Sequence, residues 1–533
     1  MPDRLSIDRR HFLVAGAATV GTVACGPSDD AAAPAPEQKQ DQAAEKPAEK
    51  PAEAPTQRGG ILRVGTPGTP LGLDPAIMTN GEAYVLNMNT HDNLVYLNPK
   101  LEHEPQLAES WSSNDEATVW TFKLRQGVKF HHGKEFNADD VVFTFKRLLD
   151  PDTKAVIQSV VDPIQDVAAV DSHTVRFTLK GPHATFPALT TPRQASVVAS
   201  DRTPEQLKSE PSGTGPFKMQ EFKPDERTVI VRNPDYWQKD RPRVDEVHFL
   251  VMQEQAAQAA SLVGGSINMM FTVSMDVVPQ LQSNPNTSVE VKESGAFTDL
   301  VTNTQMEPFD DNRVRTAFKL IADRATLRQA VFSGFGSLGN DDPIAPIVPE
   351  HNDSMPQRKQ DLAKAKQLLE EAGFDLSQEI VLHNNAKRPD HQALALAYQE
   401  QAKQAGINLK IERHEDNAYW SNVWMKVPLC IVNWAWRPNI DELCSIMLHS
   451  KAKWNESFYM SPEVDELIAK GRGEKDPAER KAIYGRIQEI VSNEYGLIIP
   501  FHWPNINAIH KSVKGHVMHP VTWLDLRGVS LEQ

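Results

Sequence analysis

At 533 residues the chain is too long for one hydrophobic core, so two or more lobes are expected. A formal charge of −15, from 56 basic and 71 acidic side chains, speaks against a protein that tracks nucleic-acid phosphates. With 40% hydrophobic and 24% charged residues the composition is that of an ordinary folded chain, and no run reaches the length of a transmembrane helix.

The first 25 residues read as an address. Arg4, Arg9 and Arg10 precede an apolar stretch over residues 12–24 that is too short to span a bilayer. Arg9-Arg10-x-Phe-Leu, with Ser6 upstream, resembles a twin-arginine export signal. Thr22-Val23-Ala24-Cys25-Gly26 resembles a lipoprotein cleavage box with Cys25 as the lipidated residue, although Thr22 replaces the usual Leu. An ordinary small-residue cleavage site is the alternative. Residues 26–58 are almost all Ala, Pro, Glu, Lys, Gln and Asp, cannot bury enough apolar surface to fold, and read as a solvated spacer. The expectation is an exported protein, periplasmic or at the cell surface, tethered to the membrane through Cys25. Cys430 and Cys444 are the remaining cysteines, and a disulfide and two separate thiols are both open.

From Gly59 onward strands and helices interleave. Residues 61–65 open as a short strand. In Trp120-Thr121-Phe122-Lys123-Leu124-Arg125 apolar and polar residues alternate strictly, so one face is buried. Residues 228–232 and 247–251 are also strand-like. Leu362, Ala365, Leu368, Leu369 and Ala372 recur at helical spacing and stop at Gly373. Ser461-Pro462 supplies an N-cap and first-turn proline for a helix carrying Val464, Leu467 and Ile468. The mixture indicates an α/β protein.

Arg58-Gly59-Gly60-Ile61-Leu62-Arg63-Val64-Gly65 with Leu73-Asp74-Pro75, Leu107-Ala108-Glu109-Ser110-Trp111, and the run from Trp120 to Gly133 come in a fixed order. They are followed by Asn137-Ala138-Asp139-Asp140, Gly213-Thr214-Gly215-Pro216-Phe217, Asn233-Pro234-Asp235-Tyr236-Trp237 and the run from Pro308 to Arg315. Together they resemble the family 5 extracellular solute-binding proteins, the dipeptide, oligopeptide, nickel and glutathione group. That resemblance implies an α/β fold of the type II periplasmic-binding-protein kind, a two-lobed clamshell with an extra subdomain in lobe I. Lobe I would hold residues 59–272, lobe II residues 273–500, and residues 501–533 would return to lobe I. Crossings are expected near residues 267–272 and 499–503, with the ligand enclosed in the interlobe cleft.

The resemblance also implies where a ligand is held. Lys387-Arg388-Pro389 resembles the segment whose arginine clamps a peptide carboxylate, and Arg388 falls on that position. Asn433-Trp434-Ala435-Trp436-Arg437-Pro438-Asn439-Ile440-Asp441 resembles a loop that offers an aromatic wall, here Trp434, and an acid for the ligand amine. Arg437 stands where that acid is expected, which favours a second anionic group, and Asp441 is expected to pair with Arg437. Tyr84, Met269, Met270 and Trp503 are further candidates, with plain packing as the alternative for each. The implied role is the capture subunit of an ABC importer, a monomer that meets permease and ATPase subunits and takes a peptide-like, anionic solute. A nickel complex, an opine or an oligosaccharide are alternatives.

The remaining motifs point away from enzymes. Gly334-Phe335-Gly336-Ser337-Leu338-Gly339 spells a dinucleotide fingerprint, but a helical stretch precedes it and Pro343 and Pro346 follow, so a loop is expected. His131 and His132 have no partner at metal-ligand spacing, and no nucleophile elbow or zinc-protease helix occurs. Neither a cofactor nor a resident metal is expected, and a periplasmic hydrolase is the reading from another class.

Overall fold

The computed structural model describes residues 58–532; the expected export signal, spacer and lipidation site Cys25 lie outside the described residues, apart from Arg58. Its framework is a mixed sheet of eleven strands. Ile61–Thr66 buries Leu62 and then Val64, Gly65 and Thr66, and pairs in parallel with Glu246–Val251 on one side and Met269–Met270 on the other. Arg227–Arg232 and Phe217–Lys223 continue this half outward as an antiparallel pair. The other half is built from Leu429–Trp434, Glu379–Asn385 and, at the edge, Asn408–His414.

Two long strands join the halves. Thr287–Thr302 pairs with Leu497–His510 along most of their lengths, with a register shift between Glu293 and Phe297. Before that shift Thr287–Thr302 is partly exposed, and from Ser294 onward every residue is buried. Past the shift the strand pairs with Leu429–Trp434, so the chain changes halves at Ser294-Gly295-Ala296 and, on the return, at Trp503-Pro504. Gly295 has a packing reason: a Cβ there would meet the Trp436 indole at 2.3 Å.

The first crossing therefore lies downstream of residues 267–272. Met269 and Met270 belong to the first half, pairing with Val64 and Gly65 and with Ile509 and Ala508. A bulged strand with one half-exposed end lacks the simple alternation that marks a strand in sequence, which explains the displaced expectation.

A separate four-stranded antiparallel sheet is the expected extra subdomain, in the order Ala108–Ser113, Val119–Leu124, Thr174–Leu179, Ile164–Asp171. Trp120, Phe122 and Leu124 are buried as their alternation requires. Phe122, Phe145, Phe177 and Phe186 pack edge-on and tilted against one another, with centroids 4.9–6.1 Å apart. Helix Ala138–Leu149 closes this core and starts at a capping box formed by Asn137 and Asp140.

Helices Leu362–Glu371 and Pro462–Gly473 form where expected, capped by Asp361 and Ser461. The glycine-rich segment after helix Arg324–Phe332 is not wholly the expected loop: Ser337–Leu338 forms a two-residue strand that pairs with the return strand at His502 and Phe501. Gly336 has φ +82°, and a Cβ would lie 2.3 Å from the His502 carbonyl oxygen. Close approach to the backbone of the return strand accounts for Gly336 and Gly339. Cys430 and Cys444 are free, buried thiols.

Candidate functional site

A cavity of about 660 Å³ opens where the two halves of the sheet meet. One wall comes from residues 271–276, which leave the Met269–Met270 strand, and from residues 504–507 and 519–523. The opposite wall comes from Phe332, the Arg388-Pro389-Asp390 turn and Trp503. Phe271, Phe332, Trp503 and Trp523 contribute four aromatic side chains to a largely apolar lining, and its size falls in the roughly 300–1,000 Å³ range of small-solute sites.

Arg388 stands at the start of helix Pro389–Gln404, where strand Glu379–Asn385 turns. Its Nε and Nη2 donate to the two oxygens of Asp390 at 3.0 and 3.1 Å, and the guanidinium carbon lies 5.3 Å from the Trp503 ring centroid. The Trp503 indole donates to Thr298 Oγ1 at 2.8 Å, and Thr298 donates to Asp390 Oδ2 at 3.0 Å. Both crossing strands thus hold the arginine fork in place, with one third of its side chain still exposed. A ligand carboxylate could share that fork with Asp390.

Of the sequence candidates, Arg388 and Trp503 line the cavity. Met270 does not. It is fully buried among Ala259, Leu262 and Leu281, because its two-residue strand sits between two neighbours. Trp434 is also displaced from the expected wall. At the end of its strand it lies opposite Phe297, stacks on that ring at 6.4 Å and 17°, and donates its indole N–H to Glu456 Oε1 at 2.8 Å. At 6% exposure it is a core tryptophan. Trp434→Phe is therefore expected to lower unfolding free energy by about 1–3 kcal/mol through the orphaned Glu456 oxygen. Ligand affinity measured by calorimetry should stay within about threefold; a large affinity loss at unchanged stability would restore Trp434 to the wall.

Arg437 and Asp441 do not pair with each other. Arg437 donates to Glu442 Oε1 at 3.3 Å and lies 5.7 Å from the Trp454 ring. Asp441 accepts two hydrogen bonds from Arg472 Nε at 3.0 and 3.1 Å and faces His183 Nε2 at 3.5 Å. Burial opposes ionisation of Asp441, but His183 and Arg472 outweigh it and hold the carboxyl below its ordinary value. Asn439 caps helix Ile440–Met447, which places Asp441 and Glu442 in its first turn facing opposite partners.

Asp441 also serves at a second meeting place of the halves. His183 belongs to the four-stranded subdomain's side, where the Ala184 N–H donates to the Arg472 carbonyl at 2.7 Å and Lys475 Nζ donates to the Asn114 carbonyl at 2.9 Å. Tyr84 is half-buried near this rim. Burial pushes its phenol up, and Arg437 and a hydrogen bond with Gln194 oppose that. Neither Tyr84 nor Arg437 belongs to the cavity lining.

The cavity wall at residues 519–523 had no sequence signal, being irregular chain. The Trp523 ring lies 4.7 Å from the His519 ring and 4.4 Å from the buried Arg193 guanidinium. Burial pushes His519 down to about 4, so it is neutral at pH 7; its Nε2 donates to the Leu97 carbonyl at 3.0 Å and its Nδ1 accepts from the Val521 N–H at 3.0 Å.

Residues 102–455 match the family described as bacterial extracellular solute-binding proteins, family 5 Middle. The chain is 28% identical to heme-binding protein A of Haemophilus influenzae, over 88% of this chain and 91% of that protein. It is 28% identical to di/tripeptide-binding protein 2 of Pseudomonas aeruginosa, over 88% of this chain and 95% of that one. Among solved structures, the periplasmic binding protein DppA of Helicobacter pylori, in complex with the peptide STSA, superposes with a TM-score of 0.76. It is 27% identical and is matched over 90% of this chain and 99% of its own.

Proposed function

Because the chain belongs to the family 5 bacterial extracellular solute-binding proteins, we propose that it captures an intact peptide-like, anionic solute for an ATP-driven importer. The observation that carries this reading is the aromatic cavity between the two halves, with the Arg388 fork held in its wall. Relatives named for di- and tripeptides, and a peptide-bound neighbour, support the peptide class. The two lobes meet at the crossings described above, so lobe I takes residues 59 to about 294 and the chain after about 503. Closure brings Arg388 and Trp503 against residues 271–276 and 519–523. The protein is exported, and residues 1–25 and 26–58 act as signal and spacer, with Cys25 as lipid anchor.

Capture without chemistry fits the cavity's one histidine: His519 is uncharged and both its ring nitrogens are taken up by backbone groups of Leu97 and Val521, a structural placement. Incubation of the purified protein with a short-peptide library tests this. Retention of intact peptide in a one-to-one complex is the expected result, and release of cleaved products would overturn it. A second reading, a flat porphyrin, is favoured by the four aromatic side chains in the lining and by the heme-binding relative. A Soret band in the isolated protein, with no peptide retained, would select it.

A further inference from the structure

A cluster of two imidazoles and a carboxylate lies away from the cavity, on the outer edge of the sheet. His383 is on strand Glu379–Asn385, and Glu412 and His414 are on the edge strand Asn408–His414. The strands run parallel with His383 opposite Glu412 and Asn385 opposite His414, so the three side chains share one face. His383 Nδ1 lies 2.9 Å from His414 Nε2; Glu412 Oε1 lies 3.3 Å from His414 Nε2 and 4.0 Å from His383 Nδ1.

We propose that His383, Glu412 and His414 form a binding site for a divalent transition-metal ion of the zinc type. Zinc bonds of about 2.0–2.1 Å in a tetrahedron place neighbouring ligand atoms roughly 3.3 Å apart. The three observed separations bracket that value, so small side-chain rotations complete the triangle. Two imidazoles and one carboxylate suit zinc and its neighbours better than magnesium or calcium, which prefer all-oxygen shells.

The surroundings leave room for a metal. Half of the Glu412 side chain is exposed, leaving a solvent side for a water as fourth ligand. The frame is fixed: the Ala386 N–H donates to the His414 carbonyl at 2.8 Å, tying the two strand ends together. No i,i+4 spacing announces the site, because its ligands come from register between strands.

The test uses the mature chain, stripped with a chelator and titrated with zinc alone by calorimetry, with magnesium as control. The expected result is one zinc per chain and no magnesium binding. Glu412→Gln, an exposed change that leaves the metal-free melting temperature unaltered, should weaken zinc by more than about tenfold, and the double variant His383→Ala/His414→Ala by more than about a hundredfold. Should the double variant fold poorly, anomalous scattering at the zinc edge from soaked wild-type crystals must place zinc among these three side chains. Zinc retained at wild-type affinity in the variants, an anomalous peak elsewhere, or no zinc uptake at millimolar concentration would each overturn the site.

Discussion

Arg388→Ala is expected to weaken capture of an anionic solute by about 2–4 kcal/mol, roughly thirtyfold to a thousandfold in Kd. The fork enters the cavity already oriented by Asp390 and by the face of Trp503, so little side-chain entropy is lost when a ligand carboxylate docks. Its exposed third is the part a ligand would cover, and the attraction strengthens as that water leaves. Truncation also leaves Asp390 as an uncompensated negative charge in the wall. Arg437→Ala serves as the comparison. Its guanidinium already faces Glu442 outside the cavity lining, so calorimetry should find less than about 1 kcal/mol of change. Equal affinities for wild type and Arg388→Ala would remove the arginine from the account.

The second large effect concerns stability and pH. Asp299 and Glu456 are fully buried together beneath Trp434. The Glu456 carboxyl is pushed up to about 7 by burial, against hydrogen bonds from Trp424, Trp434 and Asp299. Burial, and then the negative Glu456, push Asp299 well above its ordinary value. With two indole donors on its oxygens, Glu456 is the member that carries charge, and the buried Asp299 carboxyl beside it stays protonated. Both acids have folded-state values above the unfolded ones. Their stabilisation is therefore complete below the unfolded value near 4.5 and is lost as pH rises through about 7. From Glu456 alone, unfolding free energy should fall by about 3 kcal/mol between pH 5 and pH 8. Glu456→Gln removes the buried carboxyl that carries this part of the decline and keeps an acceptor for the Trp434 indole, so urea unfolding should show a decline about 3 kcal/mol smaller than in the wild type. An undiminished decline in the variant would show that Glu456 is not its source.

Much of the framework was legible because it rests on periodicity. The alternation around Trp120 and Phe122 gave a subdomain strand, and the spacing from Leu362 to Ala372 gave a helix ending at Gly373. Arg388 was readable because a short motif puts it at the end of a strand and the start of a helix. Trp434 and Trp436 were not separable in sequence. Their difference is one of register: Trp434 is the last paired residue and stacks into the core, while Trp436 lies just past the strand against Gly295. The wall at residues 519–523 and the His383–Glu412–His414 cluster depend on distant segments meeting, which no local pattern encodes.

Native mass spectrometry of gently isolated protein tests the central claim most directly. The account predicts a one-to-one complex with a small solute that leaves intact on denaturation, and loss of that complex in the Arg388→Ala/Trp503→Ala variant while the fold is retained. A solute held equally well by the doubly altered cavity would contradict it.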